Sequence, residues 1–98
     1  MMPVFVEAFD SLKLVGCVSS QREFSTEWLG KQPSYFSSMV ARRATRRPST
    51  EVFLTFYSRV RNYIEDADGM GLAQRQMLER LADRIWTAVM DRVHREVT

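Results

Sequence analysis

Residues 24–54 read FSTEWLGKQPSYFSSMVARRATRRPSTEVFL, and the fold turns on how they are parsed. The apolar residues Phe24, Trp28 and Leu29 run into Gly30, whose freedom to adopt the left-handed conformation suits a helix end. Pro33 comes next, a residue favoured in a first helical turn because its missing N–H would have no partner there. From about residue 33 to 43 the spacing predicts a short helix with Phe36, Met39 and Val40 on its inner side. Ser34, Tyr35, Ser38, Ala41 and Arg42 fall on the other side, with Tyr35 at the boundary between packing and exposure. Arg42, Arg43, Arg46 and Arg47 follow at once. Ser49 then caps another helix, and Glu51 in its first turn complements the positive end of the helix dipole.

Helical spacing continues outward in both directions, and no useful stretch alternates apolar and polar with period two. Toward the amino end, Pro3 can start a helix that places Phe5, Ala8, Phe9, Leu12 and Val15 on one face and ends near Gly16. Ser19 or Ser20 caps a second helix over about residues 21–29. After Ser49, Val52, Phe53, Phe56, Tyr57, Val60, Tyr63 and Ile64 recur at spacings of three and four. Glu65, Asp66 and Asp68 crowd the carboxyl end of that helix, where negative charge is unfavourable, so it should fray before Gly69 and Gly71. A final long helix covers about residues 72–97. The expected fold is all-α, five helices in a single domain over 1–98, with a helix-turn-helix core at about 20–64 and a carboxyl-terminal helix for packing or dimerisation.

A chain of 98 residues is near the lower size limit for one core without staples. Its single cysteine, Cys17, cannot form an internal disulfide, which fits a reducing compartment. Residues 14–17, Leu-Val-Gly-Cys, imitate a lipoprotein cleavage site, but no basic residue precedes Lys13, and Glu7 and Asp10 interrupt the apolar run that a signal peptide needs. No stretch approaches the ~20 apolar residues of a membrane span. A cytoplasmic, nucleoid-associated protein without membrane contact is expected.

Charge placement says more than net charge. Residues 19–50 carry Arg22, Lys31, Arg42, Arg43, Arg46 and Arg47 against Glu23 and Glu27, a net +4, whereas the flanking segments each sum to −1. Local basicity attracts a polyanion even on a nearly neutral chain. A helix that enters a DNA major groove must present small or polar side chains outward while its inner face holds it on the body. The hydroxyls of Ser34, Ser37 and Ser38 suit phosphates or base edges, and Arg42 suits bidentate contact with guanine. Lys31, Gln32 and the amino end of the helix suit phosphates. Tyr35 stays a boundary candidate, and Arg43, Arg46 and Arg47 would follow the backbone beyond the helix, unless the cluster is a solvated loop.

These residues resemble the phage-repressor-like (lambda-repressor-like) helix-turn-helix family. Gln21, Phe24-Ser25, Leu29-Gly30 and Pro48-Ser49 occupy places where that family carries Gln, an apolar-Ala pair, Leu-Gly and Pro-Ser. The chain departs from the pattern in three ways. One residue is added between Phe24 and Gly30, Ser25 replaces the small Ala that lets the helices approach, and the usual Glu after the recognition helix is missing. The resemblance covers about residues 20–60 and implies sequence-specific binding of double-stranded DNA in transcriptional control, most simply as a repressor.

The last helix carries apolar residues around roughly 200° of its circumference, where one contact surface needs only about 100°. Leu78, Leu81, Ile85, Trp86, Val89, Met90 and Val93 are accordingly expected at a homodimer interface; the competing reading is a helix that covers the core of a monomer. A helical protein-interaction module, adaptor or antitoxin-like, is the alternative function. Enzymatic chemistry has little support. The single histidine, His94, lies near the end of the last helix with no neighbouring nucleophile, Cys17 lacks a second thiol at ligand spacing, and no glycine-rich phosphate loop is present. No metal, cofactor or small-molecule substrate is expected.

Overall fold

The computed structural model describes residues 4–41, 49–66 and 69–97; side chains are described up to residue 95. Among these residues the chain is helical and contains no strand. It falls into two compact units, Met1–Pro48 and Ser49–Thr98, and the division lies inside the stretch read as the helix-turn-helix core.

In the first unit, α1 (Val4–Leu14) buries Phe5, Ala8, Phe9 and Leu12, four of the five residues expected on that face. Its end is a Schellman closure. Gly16 takes φ 80°, the Cys17 amide donates to the Leu12 carbonyl at 2.9 Å, and the Gly16 amide donates to the Lys13 carbonyl at 3.1 Å. Of the two candidate caps for the next helix, Ser20 is the one used: its hydroxyl accepts from the Glu23 amide at 3.1 Å. Ser19 serves differently, donating to the Glu23 carboxylate at 2.7 Å. The helix begins as α2 (Gln21–Glu23) and continues as a π-helical segment (Phe24–Trp28), in which the Leu29 amide reaches the Phe24 carbonyl five residues back at 3.1 Å. Gly30 at φ 66° then releases the chain from the helix.

Helix α3 (Tyr35–Ala41) opens two residues later than the sequence suggests. Pro33 and Ser34 form the turn before it, where the Tyr35 amide bonds the Gln32 carbonyl at 3.0 Å. Three rings join the elements of this unit: Phe9, Phe24 and Phe36 meet pairwise with centroids 4.8 to 5.4 Å apart. Edge-to-face and tilted contacts of this kind add to the burial of the rings. Val40, expected inside with Phe36 and Met39, is instead 40% exposed, and Met39 is half-buried. Helix α3 is anchored through its first turn, at Phe36, so its far end is less covered.

In the second unit, α4 (Thr50–Asp66) starts at Ser49, whose hydroxyl accepts from the Val52 amide at 3.4 Å, and buries Val52, Phe53, Phe56, Val60 and Ile64. Helix α5 (Leu72–Val97) returns antiparallel to it. Tyr57 touches Trp86, with ring centroids 5.1 Å apart, and the Arg92 guanidinium lies 4.9 Å from the Phe53 ring, so rising numbers on α4 meet falling numbers on α5. The expected dimer surface needs correction here. Leu78, Leu81, Ile85 and Val89 are 0 to 5% exposed, covered by the chain itself because they recur at three and four on one face. Only Trp86 and Met90 remain well exposed, and Val93 is half-buried.

Candidate nucleic-acid interface

The outer surface of the first unit is built around one buried hydroxyl. Ser25, fully buried, donates to the Gln21 carbonyl at 3.0 Å and accepts from the Phe36 amide at 2.9 Å. That amide is one of the four at a helix start with no partner inside the helix. The Ser25 carbonyl also accepts from the Lys31 amide at 2.9 Å. One residue near the start of the π-helical segment thus joins α2, the turn and the first turn of α3.

With Phe36 held inward, helical geometry turns its neighbours outward. Ser34, Ser37, Ser38 and Ala41 are exposed, as are Lys31, Gln32 and Pro33 in the turn. The Ser37 hydroxyl bonds the Ser34 carbonyl at 3.1 Å and keeps its lone pairs for a further donor. Tyr35 is half-buried, and the Lys31 ammonium stands 6.0 Å from the centre of its ring. Desolvation by burial raises the Tyr35 phenol above its ordinary value, so it remains a neutral donor.

Arg22, counted in the sequence only as local charge, shares a shallow cleft with Gln32, Pro33, Ser34 and Ser37. It projects from α2 toward the start of α3, and sequence spacing alone could not pair two helices across a turn. The expected contacts Arg42, Arg43, Arg46 and Arg47 lie outside the described residues. Among the described residues, no three His, Cys, Asp or Glu side chains converge to hold a metal ion. No helix among them is long and apolar enough to cross a membrane.

Residues 5–98 match a family of unknown function, DUF6626. The chain belongs to that family. No curated protein and no solved structure matches it. Membership in DUF6626 brings no activity with it.

Proposed function

We propose that the chain is a sequence-specific double-stranded DNA-binding transcriptional regulator, a repressor that acts as a homodimer with α3 entering the major groove. The observation that carries this reading is the division of this segment: Phe36 is buried, while Ser37 and Ser38 of α3 and Ser34 in the preceding turn are exposed. A slim hydroxylated face of this kind fits a groove and bonds either phosphates or base edges. Arg22, Lys31 and Gln32 beside it supply the donors that position a protein on a phosphate backbone.

Two of the departures from the repressor-like pattern also find a physical account that supports the reading. The residue added between Phe24 and Gly30 coincides with a π-helical turn, the winding that accommodates one extra residue in a helix. The serine in place of alanine is small enough for close approach and in addition bonds the start of α3.

A salt titration of duplex binding tests the proposal. Affinity should fall steeply, with a logarithmic slope of about −0.9 for each phosphate neutralised. Arg22→Ala, Arg42→Ala and Arg46→Ala should each weaken binding and reduce that slope by about one contact. Failure to retain any duplex at low salt would sink it. A second reading, a helical protein-interaction module, draws on the exposed Trp86 and Met90 and expects that negative result.

A further inference from the structure

The α4–α5 hairpin leaves a set of apolar side chains uncovered. Leu54, Trp86 and Met90 are 45%, 44% and 47% exposed. Tyr57, half-buried, rests against Trp86, so this aromatic pair occupies the groove between the two helices. The pair also sets the level of one helix against the other. One turn forward on α4 from Tyr57 is Arg61, and one turn back on α5 from Trp86 is Asp83. One turn the other way brings Leu54 level with Met90. Leu54, Tyr57 and Arg61 recur at three and four on α4, as Asp83, Trp86 and Met90 do on α5, so each trio lies on one helix face. Asp83 is exposed and Arg61 half-buried.

We propose that this face is the contact between two copies of the chain, made by α4 of each copy against α5 of the other. A two-fold axis along the groove lays the helices antiparallel, in the arrangement of a four-helix bundle with axes crossing at roughly 20°. Each Arg61 then meets Asp83 of the second copy, which places two ion pairs around an aromatic centre, and each Leu54 meets Met90. The charges argue for a second copy over an unrelated protein. Opposite signs stand at one level on the two helices, so the face complements itself under a two-fold rotation. Glu65 and Glu79, a turn further along, are both acidic and exposed, so the self-complementary set is confined to the three levels from Leu54 to Arg61. The proposal rests on the dimeric reading above and supplies its surface, adding Leu54, Tyr57 and Arg61, which lie outside the last helix.

Sedimentation velocity on the full chain tests it. The wild type should sediment as two chains. Arg61→Asp and Asp83→Arg should each weaken self-association about tenfold or more, because like charges then face each other twice. An equimolar mixture of the two variants should recover the wild-type affinity, since every cross-pair is again of opposite sign. A merely structural defect would not be rescued by mixing. A wild type that sediments as one chain, a dimer indifferent to both reversals, or a mixture no tighter than its components would overturn the interface. Binding of a one-half-site duplex on the same samples separates the two proposals. A monomer that retains the duplex loses the interface and keeps the DNA reading, whereas a mixing-rescued dimer that retains none keeps the interface alone.

Discussion

The Ser25 hydroxyl uses its proton and a lone pair at once, on the Gln21 carbonyl and the Phe36 amide. Ser25→Ala leaves the Phe36 amide buried without an acceptor, which costs about 1–3 kcal/mol. Urea denaturation of the two proteins should show a loss of that size, and a difference near zero would mean that water or another acceptor takes the place of the hydroxyl. Tyr35 supplies a pH signature. Its folded phenol holds its proton to a higher pH than the unfolded chain's, whose value is near 10.0. That contribution to stability is full below this value and is lost as pH rises through the raised folded value. The wild type should therefore lose stability above about pH 10 more steeply than Tyr35→Phe, as followed by alkaline thermal melts. Parallel curves would show that the phenol is solvated. Both residues were visible in the sequence, but with incomplete roles. Ser25 registered as a departure from a pattern, because a bond from residue 25 to residue 36 has no local signature. Tyr35 sat at a boundary that helical spacing cannot resolve.

The π-helical segment belongs to the scale of elements. Deleting Thr26 should convert the Leu29-to-Phe24 bond from a five-residue to a four-residue one, so that regular α winding continues through Trp28. The shortened chain should keep its helical circular dichroism and melt closer to the wild type than Phe24→Ala, which removes a fully buried ring and costs about 3–5 kcal/mol. Collapse of the fold on deletion would mean that the extra residue is required for the turn into α3. Element types and most starts were legible: Ser20 and Ser49 cap, Gly16 and Gly30 close, and Phe5, Ala8, Phe9 and Leu12 face inward as spaced. The winding of residues 24–28 was not, since spacing of apolar residues does not distinguish a π-turn from an α-turn over so short a run. The start of α3 was misplaced for a related reason. Pro33 suits a first helical position and a preceding turn equally well.

For the whole molecule, the sequence could count the apolar arc of the last helix without dividing it. Leu78, Leu81, Ile85 and Val89 serve the chain's own core, and of the residues assigned to the dimer face Trp86 and Met90 are the ones left well exposed. That division depends on how α4 lies against α5, which no single-helix projection contains. It also alters the test of dimeric DNA binding. Trp86→Glu combined with Met90→Glu should weaken binding to a duplex with two half-sites, while affinity for a single half-site stays unchanged. Equal losses on both duplexes, in a mobility-shift titration, would show that the substitutions act by disturbing the fold.

The three-ring cluster of Phe9, Phe24 and Phe36, together with the doubly bonded hydroxyl beside it, has a thermodynamic consequence. A binding surface already set in shape forfeits little configurational freedom when it is occupied. Calorimetry of association would then register a modest heat-capacity change, in proportion to the area desolvated, without the large negative excess of a chain that folds onto its target.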